Sequence, residues 1–186
     1  MKRFFDISFA LVFILILLIP LILISILIKL TSEGPILYWS DRVGKNNEIF
    51  KMPKLRTMKK DCPAVASNLI QNPELYITPI GKILRNFSLD ELPQLACVFS
   101  GSMSFIGPRP ALFNQKDLIE LRTKNNIHLL SPGITGWAQV NGRDQISIHK
   151  KVDLEIYYRD HQNLFLDLKI VLLTIKKVLF RDNIIH

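Results

Sequence analysis

The sequence predicts an α-rich α+β fold. A kinked, re-entrant membrane helix over residues 1–30 precedes a small compact cytoplasmic domain over residues 31–186, which has interfacial helices and a short β element. Three observations predict this: an uncharged apolar run at 7–28, recurring helix-capping signals after it, and strand-like alternation over 48–58. A chain of 186 residues suits one domain plus an anchor.

The apolar run is long enough to enter a membrane. As a straight helix it would extend about 33 Å, against a hydrocarbon core of about 30 Å. Pro20 interrupts the run, and proline removes a backbone hydrogen bond and tends to kink a helix. Basic residues flank both ends, with Lys2 and Arg3 before the run and Lys29 after it, and such flanks favour the cytoplasmic side. We therefore favour a re-entrant helix over an ordinary spanning helix, which stays as the alternative.

The rest of the chain carries signals for short elements. Residues 36–40 and 48–58 are predicted to be extended, and Pro53 places the second segment at a sheet edge. Thr78 with Pro79 and, further on, Ser147 have the character of helix starts. Helices are predicted over 78–87, 90–98, 111–124 and 147–160, and loops over 61–77 (a candidate lid), 101–110 and 131–143.

The C-terminal segment 164–181 is apolar with interspersed basic residues. Two structures fit it equally: an amphipathic helix lying among lipid headgroups, and a core helix with a solvated basic edge. The net charge of the whole chain is +8. A basic domain attached to a membrane favours anionic lipids and phosphate-bearing ligands. Nucleic acid is not expected, because no recognition motif accompanies the charge.

Several function classes lack their signature residues. Cys62 and Cys97 have neither metal-site spacing nor the pattern of a disulfide framework, and the four histidines are scattered. No glycine-rich dinucleotide fingerprint or Walker motif is present, which excludes the standard dinucleotide-binding and NTPase readings.

Asp90 and Glu91 are the only acidic residues adjacent in sequence. A carboxylate can serve as a hard oxygen ligand for Mg²⁺, as a base or as a nucleophile. The competing explanation is helix capping, because Ser88 and Glu91 have capping-box spacing and an N-cap at Asp90 would leave Pro93 in the first turn. The local sequence alone favours capping.

Four motifs lie in order behind the proline-bearing N-terminal segment: KLRTM at 54–58, SLDELPQ at 88–94, GPRP at 107–110 and PGITGWAQVNGR at 132–143. Together they closely resemble the bacterial sugar transferase family, the monotopic polyprenyl-phosphate sugar-1-phosphate transferases. The resemblance covers almost the whole chain, and the length resembles the minimal forms. One departure concerns the kink, where family members often carry Ser-Pro and this chain carries Ile19 and Pro20.

The resemblance implies transfer of sugar-1-phosphate from a UDP-sugar to polyprenyl (undecaprenyl) phosphate, with release of UMP. It implies that Asp90 is a nucleophile that becomes linked to the phosphosugar, and that Mg²⁺ is required, with Asp90 and Glu91 as its ligands. Glu91 is alternatively a proton handler. The expected location is the cytoplasmic face of the bacterial inner membrane, at the first membrane step of a glycoconjugate pathway.

Attack of a carboxylate on a diphosphate needs cations to neutralise charge. The candidate substrate-binding residues are Arg85, Arg109, Lys54, Arg56 and Arg143. Expected partners are the UDP-sugar, polyprenyl phosphate and membrane lipids, with a homo-oligomer and downstream glycosyltransferases as further candidates. Two alternatives stay open: a glycosyltransferase that releases UDP, and a non-enzymatic basic scaffold tethered to the membrane.

Overall fold

The computed structural model describes residues 2–62, 72–142 and 146–180. A long apolar N-terminal helix is followed by a helix-rich domain that contains small sheets, which confirms the helix-rich prediction. The helices are α1 (Lys2–Thr31), α2 (Pro79–Asn86), α3 (Leu95–Ser100), α4 (Lys116–Lys124), α5 (Trp137–Val140), α6 (Ile148–His161) and α7 (Leu164–Phe180); the strands are β1 (Leu37–Val43), β2 (Ile49–Leu55), β3 (Ser104–Ile106), β4 (Ala111–Leu112) and β5 (Gly133–Thr135).

Helix α1 runs continuously through Pro20. Within the described ranges it is the one helix long and apolar enough to cross a membrane, by length and composition. Its middle third is not covered by the domain, since Leu15 is 63% exposed and Ile19 is 69% exposed. Its ends, by contrast, are docked: Ala10 and Ile28 are fully buried. The helix therefore contacts the domain near both termini and leaves an apolar surface between them.

The first turn of α1 is hydrogen-bonded to the domain. Lys2 Nζ donates to the hydroxyl of Tyr158 at 2.7 Å. Arg3 donates to two backbone carbonyls in α3, at 2.5 and 2.8 Å. Asp6 Oδ1 accepts from the backbone N–H of Phe105 at 3.2 Å. Lys2 and Arg3, which the sequence suggested only as basic membrane flanks, are thus structural ties between α1 and the domain.

Two small sheets organise the middle of the chain. Strands β1 and β2 form an antiparallel hairpin, and β4 pairs with the other side of β1. Pro53 lies in β2, an edge strand as predicted, where its missing N–H is tolerated. Strands β3 and β5 pair in parallel. Both strands lie inside segments that were predicted to be loops. The prediction missed them because a three-residue strand is too short to show an alternating hydrophobic pattern.

The predicted helix starts at 78 and 147 are confirmed. Thr78 Oγ1 accepts from the N–H of Gly81 at 3.0 Å, and Ser147 Oγ accepts from the N–H of Lys150 at 3.3 Å. The helix predicted over 111–124 begins only at Lys116. Its first residues form β4 and a turn instead. The central part of the predicted lid, residues 63–71, lies outside the described residues.

Helix α7 is apolar on two sides. Ile170 is fully buried in a cluster with Tyr158, whereas Phe165 is 86% exposed and Leu172 is 60% exposed. The buried face agrees with a core helix, and the interfacial helix considered for the exposed apolar face stays a prediction. Asp167 joins α7 to the start of α1, since its Oδ1 accepts from the Tyr158 hydroxyl at 2.7 Å and its Oδ2 lies 3.4 Å from Lys2 Nζ.

Candidate functional site

The acidic pair lies in a short 3₁₀ turn, Leu89–Gln94, between α2 and α3. Ser88, just before the turn, has a left-handed backbone with φ of 54° and makes no capping hydrogen bond through its side chain. The capping box considered from the sequence is therefore wrong. Pro93 fits in the turn because a segment this short has no long ladder of helical hydrogen bonds for a proline to interrupt.

Glu91 is held by two cations. Lys54 Nζ donates to Glu91 Oε1 at 2.7 Å, and Arg109 Nη2 donates to the same oxygen at 2.9 Å. Arg109 Nη1 lies 3.5 Å from Oε2. Burial of Glu91 opposes ionisation, but the two cations outweigh it and hold the pKa of Glu91 well below its usual range. Glu91 is therefore an ionised anchor for Lys54 and Arg109, and a role as proton donor at neutral pH is disfavoured.

Asp90 has a different environment. It is buried, and within the described part of the chain its Oδ1 has no hydrogen-bond partner. Burial raises the pKa of Asp90, the charge of Glu91 raises it further, and the charges of Lys54 and Arg85 lower it. The two neighbouring carboxyl groups thus differ: Glu91 is bonded to two cations, whereas Oδ1 of Asp90 is buried and has no hydrogen-bond partner within the described residues.

The remaining predicted cations fall in three places. Arg85 Nε donates to Thr57 Oγ1 at 2.9 Å, and its charge acts on Asp90. Arg56 makes no hydrogen bond to the acidic pair; its Nη2 donates to the carbonyl and hydroxyl oxygens of Ser32, at 2.8 and 2.7 Å. Arg143 lies outside the described residues.

Three glycines set the position of Arg109. Gly107, at the start of the GPRP loop, crosses Gly133 and Gly136 backbone to backbone. A Cβ on Gly107 would lie 2.2 Å from the carbonyl oxygen of Ser131, and one on Gly136 would lie 2.1 Å from that of Gly107. The crossing is reinforced by hydrogen bonds, including one of 2.9 Å from Gly107 N–H to Thr135 O. The glycines of the 132–143 motif therefore fix the backbone of the GPRP loop, which carries Arg109.

Sequence reasoning missed other polar groups near the pair. Thr57 receives the hydrogen bond from Arg85, and Gln94 is almost fully buried with an unpaired amide nitrogen within the described residues. Both residues lie inside the quoted motifs. The available signal was that both are polar residues inside motifs that also contain charged candidate residues.

The donor set fits a hard divalent cation that also binds substrate. Within residues 2–62, 72–142 and 146–180, no group of three or more His, Cys, Asp or Glu side chains could hold a metal alone. Mg²⁺ is usually held by one or two carboxylates together with substrate phosphates. The unpaired Oδ1 of Asp90 is suited to such a site, whereas Glu91 would have to share its oxygens with Lys54 and Arg109.

A family model described as bacterial sugar transferase matches residues 1–181. This chain belongs to the bacterial sugar transferase family. The predicted family and enzyme class, a sugar-1-phosphate transferase, are confirmed by this match and by the names of relatives. Within the family, the acidic pair, its cations and the glycine crossing lie in the four motifs that carried the resemblance.

Three bacterial sugar transferases to which this chain is similar differ in length and in the activity that their names give. The uncharacterized sugar transferase EpsL of Bacillus subtilis is 40% identical, covering 99% of this chain and 90% of EpsL. The undecaprenyl-phosphate glucose phosphotransferase of Komagataeibacter xylinus is 38% identical, covering 98% of this chain and 36% of the relative. The UDP-N-acetylgalactosamine-undecaprenyl-phosphate N-acetylgalactosaminephosphotransferase of Aeromonas hydrophila is 36% identical, covering 86% of this chain and 39% of the relative. The chain thus spans little more than a third of two of these relatives.

Proposed function

We propose that this protein transfers sugar-1-phosphate from a UDP-sugar to polyprenyl phosphate, with Asp90 as the nucleophile. One observation carries the proposal: Asp90 is buried among cations with an unpaired carboxylate oxygen, while the cations beside it are held by Glu91. The names of two relatives, which act on undecaprenyl phosphate with glucose or N-acetylgalactosamine, support the substrate class.

In the first step, a carboxylate oxygen of Asp90 attacks the phosphorus that carries the sugar. A new O–P bond forms, the bond from that phosphorus to the bridging oxygen breaks, and UMP leaves with the electron pair. The product on the enzyme is an acyl phosphate that joins Asp90 to the sugar. Burial favours this attack because a poorly solvated carboxylate with an unpaired oxygen does not have to shed water first.

In the second step, a phosphate oxygen of the polyprenyl phosphate attacks the same phosphorus. The bond between that phosphorus and Asp90 breaks, and the carboxylate is regenerated. The product is a polyprenyl diphosphate-linked sugar that stays in the membrane. Each step brings two anions together, so fixed positive charge near Asp90 is the main catalytic requirement.

Lys54, Arg109 and Arg85 supply that charge. Lys54 and Arg109 are fixed by Glu91, and Arg85 by Thr57, so their orientation does not have to be created when substrate binds. Mg²⁺, held by Asp90 with substrate oxygens and with Glu91 as the second candidate ligand, would add neutralisation of the diphosphate.

We propose further that α1 is re-entrant and that the domain lies on the cytoplasmic face of the inner membrane. The support is that both ends of α1 dock on the same domain, through Lys2, Arg3 and Asp6 at one end and Ile28 at the other. A helix that crossed a bilayer of about 30 Å would carry one end away from the domain. Its exposed apolar middle would then enter one leaflet, with the apolar face of α7 beside the membrane surface.

The test is nucleotide release from the detergent-solubilised protein. Wild type with Mg²⁺, undecaprenyl phosphate and a panel of UDP-sugars is expected to release UMP, and Asp90→Asn is expected to release none while still folding. Release of UDP would mean transfer of the sugar alone and would remove the nucleophile assignment. Near-normal UMP release by Asp90→Asn would exclude the covalent intermediate.

A further inference from the structure

An apolar groove runs along the second half of α1. It has a volume of about 330 Å³ and is lined mainly by aliphatic side chains, among them Leu21, Ile22 and Ile36. Ser25 and Lys29 are the two polar side chains in its lining. The lining residues that α1 contributes, from Leu18 to Lys29, extend over about 16 Å of the helix.

The groove adjoins the residues that carry the acidic pair. Leu21 and Ile36 line the groove and also pack against a buried cluster that includes Leu55 and Leu84, with Leu89 at its edge. Leu89 directly precedes Asp90, and Leu84 directly precedes Arg85. The groove therefore shares side chains with the buried cluster that supports Leu89, at the start of the turn that carries the acidic pair.

The end of the groove is positively charged. Lys29 is exposed, and its Nζ makes one long hydrogen bond of 3.5 Å, to the carbonyl oxygen of Gly34. Arg56 lies directly against Gly34 and is 93% buried, with Nε and Nη1 unpaired within the described residues. No acidic residue forms an ion pair with either cation in the described part of the chain. A buried cation in poorly polarisable surroundings strengthens the positive potential that Lys29 presents.

We propose that this groove is the acceptor subsite, in which the isoprenoid chain of polyprenyl phosphate lies against α1 and its phosphate meets Lys29. This inference rests on the proposed function. The complementarity is chemical at both ends: an aliphatic channel on a membrane helix suits a long chain of isoprene units, and an ammonium that forms no ion pair within the described residues suits a phosphate monoester. Lys29 contacts the phosphate, and Arg56 acts through its charge and by fixing the end of α1.

Direct binding tests the subsite without turnover. Radiolabelled undecaprenyl phosphate and the matching undecaprenol, which lacks the phosphate, are titrated against detergent-solubilised protein in the absence of UDP-sugar. Ile22→Trp, which fills the groove from an exposed position, is expected to weaken binding of both lipids roughly fivefold or more. Lys29→Gln is expected to weaken binding of the phosphate-bearing lipid to a similar extent and to leave undecaprenol unchanged.

Two matched variants control the experiment. Ile19→Trp adds the same ring to an exposed position of α1 outside the groove lining, and Lys45→Gln removes one exposed charge from the β1–β2 turn. Both are expected to bind as wild type does. Equal affinities for wild type, Ile22→Trp and Lys29→Gln would overturn the subsite, and so would displacement of the acceptor by equimolar phosphatidylglycerol, which would mean that any anionic lipid occupies the groove.

The lipid-binding experiment can fail or succeed independently of the test of the proposed function. UMP release by wild type tests the function and needs the donor, whereas lipid binding needs neither donor nor Asp90. Binding that depends on Ile22 and Lys29, without UMP release, would support the groove and reject the reaction. UMP release with unaltered binding by both variants would support the reaction and reject the groove.

Discussion

Lys54 Nζ lies 2.7 Å from Glu91 Oε1, and this contact separates the roles of the two adjacent carboxyl groups. Glu91 is already neutralised by Lys54 and Arg109, so it organises cations. Asp90 feels the charge of Lys54 but forms no ion pair with it within the described residues, and its Oδ1 stays unpaired. An electrostatic scaffold beside a poorly solvated carboxylate suits the phosphoryl transfer proposed above.

Asp90→Asn is expected to stabilise the protein while abolishing activity. Burial raises the pKa of Asp90, so its folding contribution is most favourable below the unfolded pKa and is lost as the pH rises through the folded pKa. At pH 7 ionised Asp90 therefore destabilises the folded state, and asparagine removes this destabilisation. We therefore expect Tm to rise at pH 7 and the difference to vanish as the pH falls below the unfolded pKa of aspartate, about 4. Thermal unfolding at both pH values measures this, and a lower Tm at pH 7 would contradict it.

Glu91→Gln is expected to destabilise the protein, in contrast to Asp90→Asn. The pKa of Glu91 is lowered, so its ion pairs contribute stability above the unfolded pKa, and this contribution is lost only as the pH falls through the folded value. Breaking a buried ion pair on one side leaves uncompensated charge and costs about 3 kcal/mol. Denaturant unfolding at pH 7 should show that loss, with exposed Glu48→Gln as the unaffected control. Equal stability of the two variants would mean that Glu91 does not hold the cations.

The acid limb of the pH–rate profile is expected to report Asp90. Attack requires the ionised carboxylate, whose pKa is raised by burial and lowered by the charge of Lys54. The rate should therefore fall as the pH drops through a value above the usual aspartate range. Lys54→Met removes the lowering charge, so its residual activity should have an acid limb at higher pH. Lys51→Met, in the same strand but 72% exposed, should leave the limb in place; a shift in that control would argue for a general surface-charge effect.

Gly136→Ala is expected to reduce turnover at least about tenfold by displacing the loop that carries Arg109. The new Cβ would lie 2.1 Å from the carbonyl oxygen of Gly107, so the backbone crossing has to open. A shift of about 1 Å in a charged contact is enough for a loss of this size. Gly44→Ala is the control, because its nearest contact is 3.0 Å away on the side chain of Phe50. Rates are compared at saturating donor, and wild-type activity in Gly136→Ala would show that the crossing does not position Arg109.

Both termini of α1 are expected on the same side of the membrane. Tags at the N-terminus and the C-terminus should be protected from protease in right-side-out vesicles and cleaved in inverted ones. The physical reason is that Lys2 and Ile28, near opposite ends of the helix, contact one domain. Opposite accessibility of the two tags would establish a spanning helix.

Local signals explain which features the sequence could predict. Thr78 and Ser147 predict helix starts because a capping hydrogen bond joins residues within a single turn. The uncharged run predicts α1 without any other information. The adjacency of Asp90 and Glu91 was likewise visible as a pattern. In contrast, β3 and β5 pair between distant segments and are too short to leave a period.

The arrangement of the cations depended on contacts remote in sequence. Arg56 and Arg109 both lie in motifs rich in basic or conformationally special residues, yet Arg109 binds Glu91 and Arg56 binds Ser32. Arg109 lies in the loop whose Gly107 crosses Gly133 and Gly136, and Arg56 binds a residue 24 positions earlier; spacing along the chain cannot reveal either relationship.

The anchorage of Lys2 has a consequence for the order of assembly. Its partner Tyr158 lies 156 residues further along the chain. The carbonyl groups that accept hydrogen bonds from Arg3 lie 95 and 96 residues further along. The Lys2 hydrogen bond therefore cannot form until α6 has been synthesised, whereas the partners of Arg3 lie earlier in the chain, in α3. Contacts of such long sequence separation form slowly. Attachment of α1 to the domain is therefore stepwise: the contacts with α3 can form first, and the contact with α6 is completed last.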